Sequence, residues 1–146
     1  MQEFEFRLAT LNDADRLFAW RNDPLTRAAS HDDGPLEMQS HLAWLKQTLQ
    51  APERTLWIVE REGVAVGNVR SDGDEDGRLL SWTVAPDARG YGFGKRMVIQ
   101  WVGQLEGRLR AEVRVGNTAS ARIAEAAGLV LTEEKGGVRY YLRDVP

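Results

Sequence analysis

Short runs of alternating apolar and polar residues recur along the chain, and alternation with a period of two is typical of half-buried β-strands. Glu62-Gly63 and Gly136-Gly137 each separate two such runs, which predicts two hairpins. The acidic run 72–77, which ends in glycine, predicts a further turn. The predicted strands are 4–8, 55–60, 64–70, 78–85, 111–115, 129–134 and 137–143.

Four other segments carry apolar residues at helical spacing. The first starts at Asn12 and Asp13 and stops before Pro24, because the residue that precedes a proline avoids the helical region. The second covers residues 36–49 and the third lies around 97–105, whereas the last begins at a cap on Asn117 and ends at Gly128. The apolar stripe of the second helix is formed by Met38, Leu42, Leu45 and Leu49.

The order of these elements is β-α-α-β-β-β-α-β-α-β-β. It predicts an α/β (α+β) fold: a mixed, mostly antiparallel central sheet of about seven strands, with about four helices on both faces. The length of 146 residues fits one domain over residues 1–146 and leaves no room for two of ordinary size.

Composition narrows the class of protein. The formal net charge is −3, which argues against nucleic-acid or anionic-membrane partners, since both need a clustered positive field. The absence of cysteine excludes disulfides, thiolate metal sites and thiol nucleophiles. No apolar run approaches the roughly 18–20 residues of a membrane span. We therefore expect a cytoplasmic protein with no bound metal; Asp72, Asp74 and Asp76 match only half of a calcium loop.

The stretch between the fourth strand and the third helix carries the strongest chemical signal. Three glycines alternate along it, at 90, 92 and 94, next to Arg89 and Lys95. Glycine permits close approach of the backbone, and the start of a helix offers unpaired N–H groups at a positive dipole end, so the stretch predicts an anion site. Neither the dinucleotide fingerprint nor the P-loop pattern fits its spacing.

The segment Val84-Ala85-Pro86-Asp87-Ala88-Arg89-Gly90-Tyr91-Gly92-Phe93-Gly94-Lys95 contains R-x-x-G-x-G and closely resembles the pyrophosphate motif of the GCN5-related N-acetyltransferase (GNAT) family. Asn117-Thr118-Ala119-Ser120, followed by Glu125-Ala126-Ala127-Gly128-Leu129, resembles a second family motif. The resemblance implies acetyl-CoA (coenzyme A) as cofactor. It places backbone groups of Trp82, Thr83 and Val84 on the pantetheine arm, the amides of Arg89, Gly90, Tyr91, Gly92, Phe93, Gly94 and Lys95 on the pyrophosphate, and Asn117 and Ser120 beside the thioester.

The amino-terminal half resembles the sugar-nucleotide branch of the family, including amino-sugar N-acetyltransferases of pseudaminic acid biosynthesis; ribosomal-protein and polyamine branches share some of its features. This likeness implies a set of acceptor-binding residues. They are Trp20, Arg21, Arg27, His31, His41 and Trp44. On the second helix His41 is expected about 60° off the apolar stripe and Trp44 further towards the polar side.

The catalytic residues are less clearly marked. The family's frequent acid, a tyrosine, is replaced here by Ala124, and the resemblance leaves Ser120 as its substitute. No glutamate stands on the strand before the glycine-rich loop. Glu112, Glu60 and His41 are therefore candidate bases, beside deprotonation through water without a dedicated base.

The resemblance thus implies an N-acetyltransferase that moves an acetyl group to a primary amine by direct attack in a ternary complex. The expected acceptor is a small molecule such as an amino-sugar nucleotide. A protein or peptide amine, or a CoA-binding module with little catalysis, are the alternatives. The chain is expected to be a monomer or a homodimer.

Overall fold

The computed structural model describes residues 2–29 and 34–146, and within them seven strands and five α-helices. The strands are β1 (Glu5–Leu8), β2 (Arg54–Arg61), β3 (Val64–Asp74), β4 (Gly77–Val84), β5 (Gly107–Arg114), β6 (Val130–Lys135) and β7 (Val138–Val145). The helices are α1 (Ala14–Asn22), α2 (Pro24–Ala29), α3 (Met38–Gln50), α4 (Phe93–Val102) and α5 (Thr118–Ala126).

All seven strands form one sheet in the order β1-β2-β3-β4-β5-β7-β6. Every neighbouring pair is antiparallel except β4 and β5, which run parallel and are joined by the crossover through α4. The predicted fold class is confirmed. The two glycine-containing hairpin turns are confirmed as well, since Gly63, Gly136 and Gly137 all have positive φ angles.

Helices cover both faces of the sheet, as alternate residues of β3 illustrate. Arg70 lies against Trp44 of α3 on one face. Val69 points to the other face, as does Trp57, its partner on β2. The ring of Trp57 contacts that of Trp101 of α4 edge to face, with 5.9 Å between the ring centres. Helix α1 packs on α3, and α5 packs on α4. The core is thus two layers, one on each side of the sheet.

The sequence predicts about four helices, and the described residues contain a fifth, short one that starts at Pro24. Proline is well suited to the first position of a helix, since its fixed φ is already helical and no N–H is lost. Pro24 therefore ends α1 and starts α2. The Asp23 carboxylate caps α2 by accepting hydrogen bonds from the N–H groups of Leu25 and Thr26.

No helix of the described residues is long and apolar enough to cross a membrane. Within the same residues no group of three or more histidine or carboxylate side chains is arranged to hold a metal ion.

Candidate functional site

The sheet splits between its two parallel strands. β4 and β5 are paired only over residues 78–80 and 109–111, yet β4 continues to Val84 and β5 to Arg114. Residues 81–84 keep β3 on one edge and leave their other edge without a strand partner. The split opens into a cavity of about 320 Å³. The residues predicted for the pantetheine arm, Trp82, Thr83 and Val84, all lie on this free edge.

The glycine-rich loop borders the split and ends at the first turn of α4. Gly90 and Gly92 have φ angles of 87° and 74°, which few other residues adopt. Throughout the described chain, no hydrogen bond leaves the backbone N–H groups of residues 90–95. Six consecutive amides therefore lack acceptors at the positive end of a helix, which is the arrangement that binds phosphate groups.

Side chains of the neighbouring elements hold this loop. The ring of Phe93 contacts that of Phe4 edge to face, with 5.9 Å between the ring centres, and stacks on that of Tyr91, with 5.3 Å between the centres. The Arg96 guanidinium donates to the Tyr91 carbonyl at 2.9 Å and to the Glu3 carboxylate at 2.8 Å. Hydrogen bonds from Arg96 and Arg61 lower the pKa of Glu3 to about 2, so that this carboxylate stays charged. The start of α4 is thereby fixed before any ligand binds.

Two residues of the motif have contacts that the sequence did not suggest. Gly94 is buried, and a Cβ there would lie 2.9 Å from Cδ1 of Ile123 and 3.0 Å from Cγ2 of Val84, so this glycine lets α4 approach α5 and β4. The Arg89 side chain, expected to add charge at the phosphate, donates instead to Asp23 at 2.7 Å and to Thr26 at 3.0 Å. Arg89 also lowers the pKa of Asp23. The Arg89 side chain therefore joins the glycine-rich loop to the start of α2.

Asn117 and Ser120 line the cavity on the β5 side of the split, as does Glu112. The Asn117 carboxamide caps α5 by accepting from the Ser120 N–H at 3.2 Å. The predicted cap is therefore confirmed, and the same contact fixes Ser120 at the mouth of the split. Ala124, at the position of the family's tyrosine, is completely buried.

The predicted acceptor residues are only partly brought together. Arg21, Arg27 and Trp44 line the same cavity as Ser120. Trp20 is 8% exposed, belongs to the core and is not among the residues that line the cavity. His31 lies outside the described residues.

His41 is buried, and its expected place beside the apolar stripe is wrong, because the buried face of α3 consists of His41, Leu45 and Thr48. Arginine can only donate and a carbonyl can only accept. The ring therefore accepts from Arg21 through Nδ1 at 3.0 Å and donates to the Ala14 carbonyl through Nε2 at 2.9 Å. Burial lowers the pKa of His41, and the charge of Arg21 lowers it further. With both nitrogens engaged, we interpret His41 as a residue that positions Arg21.

Glu60, another candidate base, lies on β2, where its carboxylate oxygen is 3.1 Å from Nε of Arg7. Glu60 does not line the cavity. Conversely, nothing in the sequence pointed to Arg70 and Asn68 of β3, although both line the cavity. Both occupy ordinary strand positions, and only the pairing of β3 with β4 brings them to the split. The buried Nε1 of Trp82, also at the split, has no hydrogen-bond partner among the described residues. Such a donor fits a ligand with carbonyl groups.

An open β edge beside a helix start with unbonded amides fits a ligand that carries both amide and phosphate groups. Residues 3–130 match the model of a protein family described as the acetyltransferase (GNAT) domain. The chain belongs to this family and is an acetyltransferase. A search of curated protein sequences finds no significant match.

Solved structures share the fold of this chain at low sequence identity. Spermidine N-acetyltransferase from Vibrio cholerae, in complex with CoA and spermine, has a TM-score of 0.84 at 13% identity, over 97% of this chain and 95% of that one. Aminoglycoside acetyltransferase AAC(6')-Ib with coenzyme A has a TM-score of 0.82 at 18% identity, over 97% and 94%. YncA of Salmonella typhimurium, a putative acetyltransferase with acetyl-CoA, has a TM-score of 0.75 at 18% identity, over 98% and 94%.

Proposed function

We propose that this chain transfers an acetyl group from acetyl-CoA to the primary amine of a small molecule, by direct attack within a ternary complex. The observation that carries the proposal is the row of six unbonded amides at residues 90–95 beside the split between β4 and β5. A diphosphate supplies enough acceptor oxygens for such a row, and its charge suits the start of α4.

The free edge of β4 leads from this loop into the cavity. Backbone groups of residues 81–84 and the Nε1 donor of Trp82 are available for the amide and carbonyl groups of a pantetheine arm. An arm bound along this edge brings its thioester end towards Asn117 and Ser120. The protein thus positions the acetyl carbonyl where an amine can approach from the cavity.

The reaction removes two protons from the acceptor nitrogen and delivers one to sulfur. An alkyl amine has a pKa of about 10.4, so its ammonium form must lose a proton before the nitrogen can attack, and we assign Glu112 to receive that proton through water. As the C–N bond forms and the C–S bond breaks, the nitrogen loses its second proton. We assign Ser120 to relay this proton: its hydroxyl donates to the departing sulfur and is reprotonated from the nitrogen, so that coenzyme A leaves as the thiol. Both residues line the cavity.

For the acceptor, an amino-sugar nucleotide is our leading candidate, on the resemblance of the Trp20–Pro24 segment and Arg27 to that branch of the family. A cavity of about 320 Å³ suits a small molecule better than a peptide. The similar structures of known acceptor carry small amines: spermine in one, and kanamycin in another. A protein or peptide amine is the second candidate.

The test is release of thiol from acetyl-CoA in the presence of mixtures of small amines. We expect thiol release that depends on an amine, together with binding of coenzyme A seen by calorimetry. Binding without thiol release with any small amine or peptide would support a non-catalytic CoA-binding module instead. No binding of coenzyme A at all would overturn the proposal.

A further inference from the structure

The described charges that line the cavity are unevenly distributed. Three arginines face it from three elements, Arg21 from α1, Arg27 from α2 and Arg70 from β3, whereas Glu112 is the one acidic residue among the described lining residues. This excess of positive charge contrasts with the whole chain, which has a formal net charge of −3. Such a concentration of cations at one end of a cavity favours an anionic ligand group.

Two of the three arginines lie against one aromatic ring. The Arg21 guanidinium carbon lies 3.9 Å from the centre of the Trp44 ring, and that of Arg70 lies 5.7 Å from it. His41 fixes Arg21 through the 3.0 Å hydrogen bond to Nδ1, and Asp72 fixes Arg70 through an ion pair at 3.2 Å. These two guanidinium groups are therefore held in place before an acceptor binds.

The buried Nε of Arg27, like that of Arg70, has no hydrogen-bond partner within residues 2–29 and 34–146, but Arg70 has the carboxylate of Asp72 beside it. A buried donor without an acceptor costs free energy, and an anionic oxygen would remove that cost. Guanidinium groups bind carboxylate and phosphate oxygens in a paired geometry.

We infer that the end of the cavity formed by Arg21, Arg27, Arg70 and Trp44 binds an anionic group of the acceptor, a phosphate or a carboxylate. The inference rests on the proposed function and narrows it: the preferred substrate is an amine that carries negative charge at its far end. Polyamines and aminoglycosides, which carry only positive charge, are poor acceptors for this chain.

The first test compares acceptors that differ only in the anionic group. Glucosamine 6-phosphate is compared with glucosamine, and 6-aminohexanoate with hexylamine, so that the two pairs distinguish phosphate from carboxylate. We expect kcat/KM to be at least about tenfold higher for the anionic member of one pair, as for one charged hydrogen bond. Equal rates within both pairs, or faster acetylation of spermidine, would overturn the inference and leave the proposed function standing.

Variants locate the effect. Arg27→Gln should reduce the preference for the anionic member of the favoured pair about tenfold. Arg108→Gln is the control, since it removes one charge near the start of β5, where Arg108 pairs with Asp144. An equal loss of preference in both variants would mean that general charge and not this cavity selects the acceptor, which would overturn the inference.

The second test does not depend on activity. Protein saturated with coenzyme A, so that the glycine-rich loop is occupied, is titrated with inorganic pyrophosphate while tryptophan fluorescence is recorded. We expect a saturable change that is lost in Trp44→Phe and weakened in Arg27→Gln. No change in the native protein, or an unaltered change in Trp44→Phe, would contradict anion binding at this place. Failure to bind coenzyme A would count against the proposed function itself.

Discussion

The two halves of the proposed site, one for the cofactor and one for the acceptor, consist of different chemical groups. The cofactor side is made of main chain: the amides of residues 90–95 and the free edge of residues 81–84. The acceptor side is made of side chains, with Arg21, Arg27 and Trp44 brought from three helices. A surface of backbone groups can recognise a diphosphate whatever the neighbouring side chains are, whereas a side-chain surface changes with each substitution.

This difference explains why one half resembles a whole family and the other does not. The backbone surface requires glycines at fixed positions, and these leave a local signature in the sequence. The acceptor surface requires only that three distant segments meet. We therefore expect changes on the cofactor side to abolish function, and changes on the acceptor side to redirect or tune it.

The largest effect is expected from Gly92→Glu. A glutamate at this position is strained because the φ of residue 92 is 74°. Its carboxylate would also place negative charge in the proposed anion site, so the affinity for coenzyme A should fall roughly 1,000-fold, or about 4 kcal/mol. Calorimetry measures it. The matched control is Gly107→Glu, which shares the positive φ, has no atom within 4 Å of the added Cβ and lies at the start of β5. Equal losses in the two variants would mean that misfolding, and not the site, explains the result.

Ser120 lies where the two halves meet, and Ser120→Ala tests its proposed role as the acid. We expect kcat to fall about 100-fold, the low end for general acid catalysis, because a thiolate leaves without much assistance. The KM for acetyl-CoA should stay the same, and the cap on α5 should persist because it uses the backbone N–H. Thr118→Ala, in the same exposed first turn, is the control. An unaltered kcat would remove Ser120 from the mechanism.

Gly94→Ala separates packing from ligand binding within the motif. A Cβ there would lie 2.9 Å from Cδ1 of Ile123 and 3.0 Å from Cγ2 of Val84, so these side chains must shift and the free energy of unfolding should fall by about 1 kcal/mol. Urea unfolding measures the change. Gly73→Ala is the control, since its Cβ would lie 3.5 Å from the Glu53 carbonyl, an ordinary contact. If Gly94→Ala is as stable as the control, the packing role assigned to Gly94 is wrong.

The smallest effect concerns the acceptor side and its buried histidine. Burial lowers the pKa of His41 in the folded chain below about 6.5, its value in an unfolded one. As the pH falls through about 6.5, His41 binds a proton in the unfolded state but not in the folded state, so the free energy of unfolding decreases. His41→Gln should lose this part of the pH dependence. Urea unfolding of both proteins between pH 7 and pH 5 compares them, and identical slopes would contradict the account.

The sequence was sufficient for the sheet and for most of the cofactor side. Alternation located all seven strands, and the glycines at 90 and 92 indicated the unusual backbone of the loop because conformation is local; anion binding at this loop stays a prediction. Their partners in space were not local. Arg89 binds Asp23, which lies 66 positions earlier, and nothing in the motif indicates that contact.

The acceptor side was harder to predict for the same reason. His41 was expected off the apolar stripe because histidine counts as polar, yet hydrogen bonds to Arg21 and Ala14 satisfy both ring nitrogens and allow its burial. Arg70 occupies an ordinary position in a predicted strand, and only the pairing of β3 with β4 places it at the cavity. Contacts that depend on which strands pair cannot be read from periodicity alone.

The central claim is that main-chain amides at the start of α4 bind the diphosphate of the acetyl donor. Crystals soaked with coenzyme A test it directly. We predict density for the diphosphate with oxygens at about 2.7–3.2 Å from several N–H groups of residues 90–95. Coenzyme A bound elsewhere, or held at its diphosphate by side chains alone, would contradict the claim.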